Sequence, residues 1–246
     1  VQTAYAQRYR TLWDHHWWWR SRERLLLATI SDLARRNAIQ RVLDIGCGDG
    51  LFFDALESFG EVHGLEPDVS LLSESRWRER IHQASLGPDF QVDVPFDLTL
   101  MLDVLEHIGD DADALLEARS VLRPGGLILL TVPALPWLWS QHDEANLHHR
   151  RYTPELLRNV LERAGFEVES IRFYFAWTVG PMLVRRFLAP SGEGTSDYEV
   201  GIPPGPINRL LTAYTSLEHA VGRRVRWPIG SSLLAIARRP QIGGVD

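Results

Sequence analysis

The chain has 246 residues, 45% hydrophobic and 24% charged side chains and a net charge of −6. That is enough chain for a sizeable core, and the wrong sign of charge for a general nucleic-acid partner. All 26 basic residues are arginine, which excludes lysine Schiff-base chemistry and a phosphate loop ending in Lys-Ser/Thr; the lone Cys47 excludes an intrachain disulfide framework and fits a reducing, cytoplasmic setting.

Residues 1–36, containing "YAQRYRTLWDHHWWWRSRERLLLATI", read as one or two aromatic-rich helices with no basic-then-apolar leader pattern. Short β-type runs then alternate with helical patterns. The order is "RVLDIG" (41–46), a helix from Leu51, "EVHGLE" (61–66), a helix from Val69, and a weak strand near 80–85. "FDLTLMLDV" (96–104), a helix from about Asp110 and "GLILLTVP" (126–133) follow. Apolar strands separated by helices of this length predict an α/β fold, with a parallel sheet covered on both faces. "YTPELLRNVLERAGF" is a punctuated helix: Thr153 caps it, Pro154 sits in the first turn and Gly165 closes it. "FEVESIRFYF" (166–175) and "SSLLAIARR" (231–239) are two final strands. Between them, 176–230 forms an insertion with a helix at 177–188, a Gly/Pro-rich linker at 190–206 and a helix near 206–222. The expected organisation is one domain: a helical cap (1–36), a core (37–175 and 231–240) and a helical lid (176–230). The longest apolar runs, 127–139 and 173–184, are short and broken by proline, so stable membrane insertion is not expected.

"VLDIGCGDG" (42–50) carries the strongest chemistry. A buried strand runs through Gly46-x-Gly48-x-Gly50 into a helix, where glycine permits a tight turn and close approach to a ligand. Glu66 ends the next strand twenty residues after Gly46, where an acid accepts hydrogen bonds from ribose hydroxyls. The dinucleotide fingerprint is G-x-G-x-x-G, serving a pyrophosphate; here the spacing differs, and Asp44 would repel a pyrophosphate while suiting a cationic nucleoside.

Together, "VLDIGCGDG", "GLEPD", "LMLDVLEHI" and "LRPGGLILLTVP" resemble the motifs of the class I S-adenosylmethionine-dependent methyltransferases, in that family's order and spacing, over roughly residues 38–172 and the final strand. The resemblance implies a Rossmann-like seven-stranded, mostly parallel sheet whose last strand is antiparallel and inserted beside the fifth, and S-adenosyl-L-methionine as cofactor. It implies Asp44, Gly46, Cys47 and Gly48 around the methionine part, Glu66 on the ribose, Pro67 and Asp68 beside the adenosine, and Ser85 and Leu86 at the adenine. Asp103 falls where the cofactor's amino group is bound. "LEH" (105–107) opens the helix behind it, and "PGG" (124–126) is a structural turn into the fifth strand. "HHWWWRSR" resembles a stretch of a bacterial subset, in which Arg22 would pair with the cofactor's carboxylate.

"HDEANLHHRR" (142–151) follows the fifth strand, at the sheet edge where ligands bind. His142 and His148 are candidate general bases for an oxygen or nitrogen nucleophile, with Asp143 as orienter and His107 as a third candidate. Arg150, Arg151 and Tyr152 either clamp an anionic substrate or close the loop. His142, Asp143, His148 and His149 are metal-type side chains, but the helical H-E-x-x-H spacing is missing and no metal is expected. The aromatic cap and insertion point to a small, apolar or aromatic acceptor, or a lipid-linked one met by peripheral contact at a membrane, where Arg185-Arg186 beside Phe187-Leu188 would face the lipid. Two other classes stay open: a non-catalytic cofactor-binding partner protein, and a nicotinamide-dependent oxidoreductase. Oligomeric state is not legible.

Overall fold

The computed structural model describes residues 10–68, 70, 75–87, 90–188 and 201–241. The helix expected from Val69, most of the linker at 190–206 and the side chains of 185–188 lie outside the described residues. Seven strands form one sheet: β1 (Arg41–Ile45), β2 (Glu61–Leu65), β3 (Ile81–His82), β4 (Phe96–Leu102), β5 (Leu122–Pro133), β6 (Glu167–Tyr174) and β7 (Ser232–Arg238), in the order β3-β2-β1-β4-β5-β7-β6. The strands from β1 to β5 pair in parallel, and β7 runs antiparallel between β5 and β6, as the resemblance implied.

Alternation in the central strands explains the continuous apolar runs. Leu43, Ile128 and Leu130 bury on one face against α3 (Asp111–Ser120) and α5 (Pro154–Arg163), while Val42, Leu127 and Leu129 bury on the other. That second face is covered by α1 (Trp17–Ala34) and the short α2 (Phe53–Leu56). Leu26, Ile30 and Leu33 of α1 recur at helical spacing and are buried, a contribution of about 1.5–3 kcal/mol each. Trp13 is buried on the same side, so at least one tryptophan of the cap is core. The Asp110 side chain accepts from Asp113 N–H, capping α3, and Thr153 accepts from Leu156 N–H, capping α5 as its sequence predicts.

Four expectations need correction. The helix from Leu51 shrinks to the single turn of α2, and the chain then passes at Gly60 against the Gln40 carbonyl, where a Cβ would lie 2.4 Å from the oxygen. "LEH" forms a separate 3-10 turn, Leu105–His107, and α3 begins only at Asp111 behind its Asp110 cap. "PGG" is an irregularity inside β5: Phe96 pairs with Leu122 and Leu98 with Leu127, so the intervening residues loop out while the strand continues. Finally, part of the histidine segment is helical: α4 (Gln141–Ala145) starts with a Ser140–Asp143 capping box.

The insertion supplies α6 (Val179–Leu188) and α7 (Gly205–Gly222), the latter packed along α1. No helix among the described residues is long and apolar enough to cross a membrane.

Candidate active site

The carboxyl ends of β1, β2, β4 and β5 converge on one edge of the sheet. Gly46 has φ +72 and a Cβ there would lie 2.6 Å from a Val104 methyl, so only glycine lets the loop after β1 close against the loop after β4. Gly48 also has positive φ, but a Cβ there would meet nothing within 4 Å. Its backbone borders open space, where a ligand can lie against the chain. Glu66 is buried at the end of β2 and ties the loops together, accepting from Gly48 N–H (3.0 Å) and Asp68 N–H (2.9 Å). Asp44 is buried beside it; burial pushes its carboxyl up to about 7, against the pull of Arg22 and with the help of Glu66.

Arg22 reaches this edge from α1. Buried under the Trp18 ring, it lies 2.8 Å from Asp103 Oδ2 and donates to Thr131 Oγ1 (3.1 Å). Thr131 in turn donates to Asp103 Oδ1 (3.0 Å), and Asp103 holds a left-handed φ of +58. Asp103 and Asp44 thus share the charge of one guanidinium, with Glu66 on the next strand end held by backbone N–H groups, a balance that suits a ligand with cationic groups and hydroxyls. The Cys47 side chain turns away from this edge into Gly64, and burial, then Asp44 and Glu66, push its thiol far up. Pro67 and Ser85 are exposed, and Leu86 is half-buried in the same apolar cluster as Val104 and Ile108.

The histidine segment is organised by Asp143, which is fully buried. Its carboxylate accepts from Arg151 Nε (2.7 Å) and Nη2 (2.9 Å) and from Ser140 N–H (2.9 Å), and lies 3.0 Å from His148 Nδ1. Burial works to raise its pKa, but the His148 and Arg151 bonds outweigh it and hold the carboxyl far below the usual range. The His107 ring stands edge-on to His148 with centroids 4.7 Å apart; burial and His148 hold it below its ordinary value, so it is neutral near pH 7. His142 is exposed on the outer side of α4, its ring 6.4 Å from that of His148. The structure therefore brings His148, Asp143 and His107 together and leaves His142 at the rim. Arg150 and Tyr152 both bind Asp111, at 2.6 and 3.0 Å, and Arg151 binds Asp143. All three close the loop onto the body; none of them reaches outward as a clamp.

The chain is similar to known proteins in sequence and fold. A family model described as "Methyltransferase domain" matches residues 18–171. The chain belongs to the class I S-adenosylmethionine-dependent methyltransferases. It is 31% identical over 163 residues to a probable S-adenosylmethionine-dependent methyltransferase of Mycolicibacterium smegmatis, covering 64% of this chain and 62% of that protein, so it spans about three fifths of that relative's length. A ubiquinone biosynthesis O-methyltransferase of Nitrobacter winogradskyi is 30% identical over 104 residues, 39% of this chain and 40% of its own. The fold is shared with the N-methyltransferase NodS of Bradyrhizobium japonicum in complex with S-adenosyl-L-homocysteine (TM-score 0.55, 16% identity, 94% of this chain and 91% of that one). The cofactor of the family, S-adenosylmethionine, fits the donor set at this edge: room at Gly48, an acid at each of three strand ends, and one buried arginine.

One residue of this methyltransferase edge escaped the sequence reading. Glu106 is 1% exposed, and its Oε2 has no hydrogen-bond partner among the described residues. Burial first, then the Asp103 charge, raise its carboxyl well above the usual value. One donor atom each from Glu106, His107 and His148 lies within 4.8 Å of the others, a set able to hold a divalent cation that shares only His148 with the four metal-type residues of the sequence. The signal was present in "DVLEH": an acid three residues after Asp103, within one turn.

Proposed function

We propose that the protein transfers the methyl group of S-adenosylmethionine to an oxygen or nitrogen of a small, apolar or aromatic acceptor, with His148 as general base and Asp143 as its orienting partner. Asp44, Gly46, Cys47 and Gly48 would surround the methionine part, Glu66 the ribose, Pro67, Ser85 and Leu86 the adenosine, and Asp103 with Arg22 the amino-acid end. When bound, the cofactor supplies an electrophilic methyl on a sulfonium and leaves as the neutral thioether. The chain's own work is to align the nucleophile, exclude water and take a proton. The Asp143–His148 contact carries this reading. A carboxylate that accepts from Nδ1–H fixes the ring and leaves Nε2 as the basic nitrogen.

The acceptor class rests on the aromatic side chains next to Arg22. Trp18 stacks on Phe175 (5.6 Å between centroids) and Trp17 packs on Trp177 (5.2 Å), joining the cap to the segment after β6. The likeness over 104 residues to a ubiquinone biosynthesis O-methyltransferase supports an oxygen nucleophile. The test is production of S-adenosylhomocysteine with a panel of phenols. His148→Ala should slow turnover about 10²–10⁴-fold while binding of S-adenosylhomocysteine stays within about twofold. An unchanged rate would remove His148 from the reaction, and loss of cofactor binding would make its role structural.

A second reading is favoured by the orphaned Glu106 oxygen: Glu106, His107 and His148 hold a divalent cation that lowers the acceptor's pKa, with Asp143 as the carboxylate behind a ligating histidine. Elemental analysis of protein dialysed against Mg²⁺, Mn²⁺ or Zn²⁺ separates the two: a stoichiometric metal lost in Glu106→Gln supports the cation, and none supports the base.

A further inference from the structure

The polarity of α7 is reversed relative to an ordinary surface helix. Its polar residues face the protein. Asn208 accepts from Trp17 N–H (2.9 Å) and donates to the His15 carbonyl (2.7 Å). Thr215, fully buried, accepts from Trp177 Nε1 (3.1 Å), and buried Glu218 accepts from the N–H groups of Ala176 and Trp177. The apolar residues face outward. Ile207, Leu210, Tyr214, Leu217 and Val221 are 51, 68, 54, 62 and 37% exposed, and Val225 continues the line at 53%. Their 3-4-3-4 spacing makes one continuous stripe about 21 Å long. Single exposed leucines need no explanation, but a stripe on one helix is an interaction surface.

Charge decides what it meets. Between residues 201 and 230 the only acid is Glu218, already bound inward, while Arg209, Arg223, Arg224 and Arg226 are all exposed. This basic rim belongs to a chain whose overall charge is −6. Behind α7, a cavity of about 420 Å³ between α1 and the β6–β7 edge adds Arg24, Arg36 and Arg172 to its lining. Its acids are spoken for: Asp32 pairs with Arg35 and Arg223, Glu169 with Arg238, and Glu218 is bound as above. The face therefore combines an apolar stripe with arginines that, among the described residues, have no ion-pair partner at Arg209, Arg224 and Arg226. Pairing α7 with its own copy would set these arginines near arginines, and α7 turns no acid of its own outward to relieve the contact. An anionic lipid surface offers the opposite charge to the rim and an apolar layer to the stripe, and Tyr214 suits the headgroup level between them.

We propose that α7 docks the protein on an anionic bilayer, lying in the interface plane with Ile207, Leu210, Leu217 and Val221 in the acyl boundary, Tyr214 at the headgroup level and Arg209, Arg224 and Arg226 on the headgroups. The inference is independent of the assignment of His148. It moves the membrane contact from the Arg185-Arg186 segment to the helix that follows.

The test is flotation of the full chain with vesicles of phosphatidylcholine alone and of equal parts phosphatidylcholine and phosphatidylglycerol, alongside titration with S-adenosylhomocysteine as a control for folding. Binding is expected with the anionic vesicles only, and should fall as salt rises. Leu210→Ser with Leu217→Ser should weaken it about tenfold per residue. Arg209→Glu, Arg224→Glu and Arg226→Glu together should weaken it about a hundredfold. Both sets should bind S-adenosylhomocysteine as the parent does. No flotation of the parent chain, or flotation that ignores both sets of substitutions, overturns the proposal. So does a dimer, seen by sedimentation without lipid, that Leu210→Ser with Leu217→Ser dissociates.

Discussion

The two halves of the site are held by different means. The proposed cofactor end is mainly a backbone construction: strand ends, positive-φ glycines and one acid that accepts from two main-chain N–H groups. The histidine end is a side-chain construction, in which the segment from Ser140 to Tyr152 is fastened by Asp143 to Arg151 and by Asp111 to Arg150 and Tyr152. A backbone site fails when volume or φ is wrong. A side-chain site fails when one partner of a buried pair is removed, because the other is left charged in a place without water.

The sharpest way to break the histidine end is Arg151→Met. Asp143 would keep its burial and lose both guanidinium bonds, which should cost about 3–5 kcal/mol of unfolding free energy. Denaturant titration measures this, and titration with S-adenosylhomocysteine should show the cofactor end intact. A loss below about 1 kcal/mol would mean that the pair is dispensable and the loop is held by something else. The matching insult to the cofactor end is Gly64→Ala. The new methyl would lie 2.4 Å from Cys47 Sγ and 2.8 Å from Phe53, overpacking worth about 1–3 kcal/mol and a displaced glycine loop. Adding Cys47→Ala removes the nearer obstacle and should restore more than half of both stability and cofactor affinity. If the double variant is no better than the single one, the crowding lies against Phe53.

This contrast also explains what was legible in the sequence. The strands, the caps at Asp110 and Thr153, the glycine loop and Glu66 are written in local patterns, so their places follow from a few adjacent residues. Asp143 was visible as an acid near histidines, but its choice of His148 over His142 depends on which side of α4 turns inward, and that is set by Arg151 eight residues later. Tyr152 and its partner Asp111 are forty-one residues apart, and no spacing rule joins them. Glu106 does not stand out in "LEH" read as the start of a helix, because the segment forms a separate 3-10 turn that buries the acid. The direction of α7 was illegible for a related reason: a 3.6-residue pattern says which residues share a face, not which face meets the protein.

Asp44 gives an effect that appears only as pH is varied, since a backbone-built pocket here sets the charge of a side chain. Burial pushes its carboxyl up to about 7, so below that pH the empty protein holds it neutral. A cationic ligand favours the ionised form, so affinity for S-adenosylmethionine should rise with pH, by at most about tenfold per unit, and level off above 7. Titrations near pH 6 in buffers of different ionisation enthalpy should show a proton released on binding. Stability of the empty protein should move the other way. Between the unfolded value of an aspartate and about 7 the folded state holds the extra proton, so this group's contribution to stability is lost as pH rises through that window and is constant above it. Asp44→Asn should flatten both dependences at once, weakening binding at pH 8 while raising the melting temperature of the empty protein there. If affinity keeps its slope in Asp44→Asn, the titrating group lies elsewhere on the edge, and Glu66→Gln is the next variant to measure.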